Sequence, residues 1–396
     1  MNIKFSDRIS SLQPSAIREI LKVTQDPSVI SFAAGNPSPE SFPVDDMARI
    51  AADIFKNNSA TALQYGVSEG YGPLRELTSA RIKNKYGIGK SHDDLIITSG
   101  GQQAIELATK LLINEGDTIL CEAPSFVGSL NAFRSYKANL VGIPMDDDGM
   151  DMDVLETMLK TQPNVKLIYT IPTFQNPSGC TLTLPRRRRM LELAEQYNVF
   201  ILEDNPYFEL RYTGEHLPTI KSMDETGRVI YAGSYSKVLS PGIRVGFACA
   251  HRDIISKMTV CKQVSDVHTN LFFQMICAEY LNTCDIDKHI DSIKKLYSER
   301  MNVMADAMDE GFAGRARFNR PEGGLFLWCT LPEGYDGMEF CRLCGQSKVA
   351  AVPGNSFSVN ESEIVPTFRL NFSLSDNDTI RRGISLMSQV LAEYVK

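Results

Sequence analysis

One lysine stands just beyond an apolar run. Val229-Ile230-Tyr231-Ala232 reads as a buried strand, followed by Gly233-Ser234-Tyr235-Ser236-Lys237 and then Pro241-Gly242-Ile243-Arg244-Val245-Gly246. A lysine at the end of a core strand is costly to desolvate. Burial lowers its pKa and makes it an amine nucleophile, the requirement for a Schiff base. Ser234 and Ser236 add hydroxyl donors, and Arg244 adds a planar cation, a set that suits a phosphate. An imine-forming lysine beside a phosphate cup points to pyridoxal phosphate.

Other polar residues close strand-like runs in the same way. Val199-Phe200-Ile201-Leu202 ends in Glu203-Asp204-Asn205-Pro206-Tyr207, and in open α/β sheets the carboxyl ends of strands carry ligands. An acid there serves equally well to cap the next turn. With the lysine on a later strand, Asp204 rather than Glu203 is read as the partner of a pyridine nitrogen, which it keeps protonated. Tyr207 and Asn176, the latter in Gln175-Asn176-Pro177-Ser178-Gly179, are read as partners of the ring's phenolic oxygen, although Asn-Pro-Ser-Gly is also an ordinary turn signal. Ser99-Gly100-Gly101-Gln102 joins a strand to a helix, and backbone N–H groups at a helix start make a phosphate site. Phe126 suits stacking on a flat ring or plain core packing. Arg369, within Phe368-Arg369-Leu370-Asn371, suits a bidentate clamp on a carboxylate or a surface ion pair. No G-x-G-x-x-G or Walker pattern supports a nicotinamide or nucleotide cofactor.

These residues need a scaffold. Strand-like runs at 95–98, 118–122, 139–143, 166–171, 199–203, 228–232 and 244–249 alternate with helical patterns, including 102–114, 151–160 and 185–197. The pattern predicts a three-layer α/β/α domain on a mostly parallel seven-stranded sheet. The short link 233–243 leaves no room for a helical crossover, so the last strand is expected to be antiparallel. Further on, a long helix, strands near 324–331, 349–352 and 367–372, and an amphipathic helix over 376–394 predict a smaller α+β domain. The expected boundaries are 1–43 for an N-terminal segment packing with the small domain, 44–290 for the large domain and 291–396 for the small one. Pro185 followed by Arg186, Arg187, Arg188 and Arg189 reads as a helix start with a solvated basic face.

The 396 residues are 43% hydrophobic and 22% charged, ordinary values for a globular enzyme, and carry a formal charge of −7. That charge disfavours nucleic acid as a partner. No apolar run reaches transmembrane length, no signal-peptide core is evident, and the nine scattered cysteines suit a reducing compartment, so a cytoplasmic location is expected. Cys341 and Cys344 read as core-facing helix positions, with no second pair to complete a zinc site.

Taken in order, the motifs resemble those of fold-type I pyridoxal-phosphate aminotransferases. The chain is similar to the branch holding 2-aminoadipate, kynurenine and aromatic aminotransferases and the catalytic domain of GntR-type regulators. The resemblance runs from Pro14-Ser15-Ala16-Ile17-Arg18-Glu19-Ile20 to the last helix. It implies that Lys237 holds the cofactor, Asp204 its ring nitrogen, and Tyr207 and Asn176 its phenolic oxygen. Gly101, Gln102, Ser234, Ser236 and Arg244 hold its phosphate, and Phe126 stacks on its ring. Gly101 stands where a serine is frequent. Tyr65 resembles the tyrosine that reaches the neighbouring subunit's phosphate, which implies a homodimer with shared active sites. Gly35 and Arg369, with Asn176, match substrate-carboxylate positions.

The implied chemistry is a two-stage, ping-pong exchange of an amino group between an L-amino acid and a 2-oxo acid, with Lys237 moving the α-proton. Glutamate and 2-oxoglutarate are the expected first pair, and 2-aminoadipate, an aromatic or another large apolar amino acid the second. Arg18 is either the reader of a distal carboxylate or a helix-surface arginine. A pyridoxal-phosphate lyase is the alternative on the same residues. A non-enzymatic ligand sensor is a weaker one, because the segment ahead of the sheet domain is below ordinary domain size.

Overall fold

The computed structural model describes residues 3–10, 12 and 26–396. Its strands, in chain order, are β1 (Ile30–Ser31), β2 (Asp93–Thr98), β3 (Thr118–Ala123), β4 (Asn139–Asp146), β5 (Gly149–Met150), β6 (Val165–Thr170), β7 (Phe200–Asp204), β8 (Val229–Ser234), β9 (Gly246–His251), β10 (Arg317–Phe318), β11 (Phe326–Thr330), β12 (Val349–Ala350), β13 (Val352–Pro353) and β14 (Thr367–Asn371).

The large sheet runs in the order β2-β9-β8-β7-β6-β3-β4-β5. From β8 to β4 the strands are parallel, and β9 is antiparallel to both β8 and β2. The short 233–243 link therefore makes the reversal that its length demands. The sheet has eight strands rather than the expected seven. The extra one, β5, is a two-residue antiparallel return on β4, too short to leave a hydrophobic run. The middles of the central strands are apolar and buried on both faces: Leu167, Ile168 and Tyr169 of β6 and Val229 and Ile230 of β8 are fully buried.

Helix Gly101–Leu112 follows β2 and packs Ala104, Ile105, Leu107 and Ala108 inward. Helix Leu184–Gln196 has the expected proline in its first turn. Its basic run is not a solvated face, however. Arg187 is fully buried and donates to the carbonyls of Leu182, Pro172 and Pro218 at 2.8, 2.7 and 3.0 Å, and to Thr173 Oγ1 at 2.9 Å. Arg186 pairs with Asp146 and Arg189 with Glu156, which leaves Arg188 as the exposed member.

The C-terminal part carries a second, antiparallel sheet in the order β10-β11-β14-β13. The long helices Ile286–Phe312 and Asn377–Tyr394 pack on each other. Strand β1 pairs in parallel with β12, joining Ile30 to Val349. The run expected as one strand over 349–352 is split between these two sheets. Cys341 and Cys344 face the core of helix Gly337–Gln346, and all nine thiols are unpaired. Among the described residues, no helix is long and apolar enough to cross a membrane.

Candidate active site

Strands β2, β3, β6, β7 and β8 point the same way, so their carboxyl ends share one edge of the sheet. A cavity of about 320 Å³ opens there. It is lined by Gly101, Gln102, Phe126, Asn176, Asp204, Tyr207, Ser234, Ser236, Lys237 and Arg244 from the large sheet's loops. Gly35, Phe326 and Arg369 close it from the other side.

Lys237 sits in the turn after β8. Its Nζ donates to the Gly35 carbonyl at 2.7 Å. Burial, and then the guanidinium groups of Arg369 and Arg244, push its pKa down to about 8. All three effects disfavour the ammonium form. Asp204 ends β7, fully inside. Burial raises its carboxyl to about 7, while a hydrogen bond from the Tyr169 hydroxyl to Oδ2, 2.8 Å long, works in the opposite direction. Ser129 Oγ in turn donates to that hydroxyl at 2.7 Å. Strand alternation separates the two neighbouring acids. Glu203 turns away from the cavity to accept from the backbone of Ile220 and Lys221 at 3.1 and 2.7 Å. The capping role and the site role both exist, one on each face of β7.

The opposite wall is cationic. Arg369 is buried between the rings of Phe326 and Phe357, 4.2 and 4.9 Å from their centroids. It donates to Asn176 Oδ1 at 2.7 Å and to the Ala33 carbonyl at 2.6 Å, while its Nε has no partner. It has no carboxylate partner among the described residues. Burial lowers its pKa to about 10. A surface ion pair is thereby excluded; the guanidinium keeps charge and donor capacity for an anion. Since Asn176 Oδ1 is taken by Arg369, the Asn176 amide N–H groups remain as donors, and the side chain also interacts with the Tyr207 hydroxyl.

The donor set at the other end fits a phosphate. Helix Gly101–Leu112 has no side-chain cap, so the first-turn N–H groups of Gly101 and Gln102 have no partner within the helix. Arg244 lies over the preceding Gly100, where a Cβ would come within 2.4 Å of the guanidinium. Gly100 also has φ +77°, so glycine is required there twice over. Ser234 Oγ and Ser236 Oγ sit 2.9 Å apart. An anion cup, a depressed lysine, a buried carboxylate and an aromatic face around one cavity match the phosphate, aldehyde, ring nitrogen and ring of pyridoxal phosphate.

The family model for aminotransferase class I and II matches residues 27–385. The chain belongs to this family. It is 42% identical to aromatic-amino-acid aminotransferase 1 of Thermococcus litoralis, over 99% of this chain and 95% of that protein. The solved kynurenine aminotransferase of Pyrococcus horikoshii, in complex with PMP, superposes with a TM-score of 0.95 at 39% identity, over 99% and 98% of the two chains. The α-aminoadipate aminotransferase of Thermus thermophilus, complexed with N-(5'-phosphopyridoxyl)-L-leucine, gives 0.90 at 35% identity, over 98% and 97%. This chain is an aminotransferase, and pyridoxal phosphate is its cofactor.

Of the residues singled out in the sequence, the aminotransferase brings Gly35, Gly101, Gln102, Phe126, Asn176, Asp204, Tyr207, Ser234, Ser236, Lys237, Arg244 and Arg369 to one cavity. Tyr65 is not among its lining residues; it is 81% exposed and packs edge-on against His268. Arg18 and the 14–20 motif lie outside the described residues.

Two supporting residues escaped the sequence reading. Glu122 accepts from Thr170 Oγ1, the Ile171 N–H and Gln175 Nε2 at 2.6, 3.1 and 3.0 Å, and ties the end of β3 to the loop that carries Asn176. Burial raises its carboxyl to about 7. Tyr169 looked like one more apolar position of β6. Its only sequence signal is a hydroxyl following the apolar pair Leu167-Ile168.

Proposed function

We propose that this aminotransferase exchanges amino groups between glutamate and 2-oxoglutarate as one pair and an aromatic amino acid or 2-aminoadipate as the other. The observation that carries the reading is that Lys237 and Arg369, a depressed amine and a buried guanidinium without a carboxylate partner, line one cavity with Asp204. The names of the relatives support the choice of second pair.

In this reading Gly101, Gln102, Ser234, Ser236 and Arg244 hold the phosphate, Phe126 lies against the ring, Asn176 and Tyr207 serve the phenolic oxygen, and Asp204 holds the ring nitrogen. When bound, the cofactor supplies the electron sink for the bond broken at the substrate's α-carbon. Arg369 binds the substrate α-carboxylate through its planar fork, with Asn176 beside it. That grip points the α-hydrogen toward Lys237, whose Nζ takes the proton as a base and returns it as an acid. A pKa near 8 suits both directions. Asp204, ionised against a protonated ring, keeps the sink available. The aromatic rings of Phe326 and Phe357 shield Arg369 from water and strengthen its hold.

Tyr65 serves the phosphate of a second copy, so the working unit is a homodimer. The exposed Leu63, Tyr65, Val67 and Val264 support such a covered surface. The unpaired thiols support the expected cytoplasmic location. The test is a steady-state panel of single amino acids with 2-oxoglutarate, scored by glutamate formed. Aromatic amino acids and 2-aminoadipate are expected to lead. Turnover confined to small or basic amino acids would overturn the assignment.

A further inference from the structure

The phosphate reading leaves a buried charge unexplained. Lys262, in the last turn of helix Arg252–Gln263, is fully buried yet lies on neither strand nor cavity wall. Its Nζ donates to Gln103 Oε1 at 2.6 Å, to both Asp266 oxygens at 2.9 and 3.0 Å, and to Thr269 Oγ1 at 2.9 Å. A buried ammonium needs such a full set of acceptors, but three such partners cost sequence and order.

The three acceptors have one thing in common, which is Ser99. Gln103 Oε1 accepts from the Ser99 N–H at 2.7 Å. Asp266 Oδ2 accepts from Ser99 Oγ at 2.7 Å, and Thr269 Oγ1 lies 3.1 Å from the same oxygen. The remaining polar atom, the Ser99 carbonyl, accepts from Arg244 at 3.0 Å. Every polar atom of Ser99 is therefore held, and all but one through groups that Lys262 holds. Gly100 follows with its positive φ, and then come the first-turn N–H groups of Gly101 and Gln102.

We infer that Lys262 is a positioning residue for the phosphate end of the cofactor site: through Gln103, Asp266 and Thr269 it fixes Ser99, and so aims the Gly101 and Gln102 amides at the phosphate. It touches no ligand itself. The inference rests on the reading of these amides as the phosphate cup. Its effect is selective. Without Lys262 the loop loses its common anchor, so the phosphate contact weakens, while the ring contacts made by Phe126, Asp204 and Asn176 stay as they are.

The experiment titrates the apoprotein with pyridoxal phosphate and, separately, with pyridoxal, which lacks the phosphate, following visible absorbance. Lys262→Met is expected to lose about ten-fold or more in affinity for pyridoxal phosphate and little for pyridoxal. Ser99→Ala, which removes only the hydroxyl links and leaves the ion pair intact, is expected to show the same selectivity at roughly a few-fold, and decides the matter if Lys262→Met does not fold. An unchanged ratio of the two affinities in these variants, or an equal loss for both ligands, overturns the inference and leaves Lys262 a packing residue. A wild-type protein that does not prefer the phosphorylated ligand would instead overturn the reading of the phosphate cup itself.

Discussion

The Tyr169 hydroxyl donates to Asp204 Oδ2 at 2.8 Å, beneath the cavity floor. This bond favours the ionised carboxylate in a place where burial favours the neutral acid. Tyr169→Phe keeps the shape and removes the donor. The acidity of Asp204 should weaken further, leaving less carboxylate to hold the ring nitrogen protonated. A fall in kcat of about ten-fold is expected, with KM for the amino acid little changed. Steady-state kinetics of the variant check this. A raised KM at unchanged kcat would assign the bond no part in the chemistry.

Lys237 governs a pH dependence whose sign follows from its surroundings. Burial, Arg369 and Arg244 all push it from the usual 10.5 to about 8. Below that value the ammonium form dominates and cannot attack; above it the free amine does. Covalent uptake of the cofactor by the apoprotein should speed up as pH rises through about 8 and then level off. A rate that climbs without levelling toward 10.5 would mean that the lysine is not perturbed.

Arg369 makes its contacts as a flat, doubly stacked fork between Phe326 and Phe357. Lysine keeps the charge and loses the fork and the stacking. Arg369→Lys should therefore raise KM for every amino acid tested, by about a hundred-fold, while affinity for the cofactor stays the same. An effect limited to one substrate would place Arg369 at a side-chain subsite rather than at the shared carboxylate.

Arg187 and Arg188 separate packing from exposure on one helix turn. Arg187 is itself fully buried and donates to four acceptors, so Arg187→Ala should cost about 3 kcal/mol of stability. Arg188→Ala should stay within about 0.5 kcal/mol. Denaturant titration of the apoprotein reads both. Equal effects would contradict the buried role.

These two arginines also show where the sequence stops being legible. Strand ends and their chemistry were readable because they are local: an apolar run followed by a polar residue puts Lys237, Asp204 and Asn176 on one sheet edge by topology alone. The antiparallel β9 was readable from the length of its connection. Burial of a charge is not local. Arg187 is buried because the carbonyls of Leu182, Pro172 and Pro218 converge on it, and Lys262 because Gln103 and Thr269 do. In the sequence, Lys262 and Asp266 resemble any i,i+4 surface pair. The sequence reading preferred Asp204 to Glu203 on the strength of the later lysine alone; strand alternation in the structure supplies the physical reason, and Glu203 has its own task at the next helix start.

The most direct test of the account adds one amino acid, without any 2-oxo acid, to the cofactor-loaded enzyme. The visible absorbance of the lysine-bound cofactor should disappear as the amino group is transferred, and 2-oxoglutarate alone should restore it. In Lys237→Ala neither change should occur at a comparable rate. Loss of absorbance with release of ammonia or carbon dioxide, and no recovery on adding 2-oxoglutarate, would contradict amino-group exchange at this site.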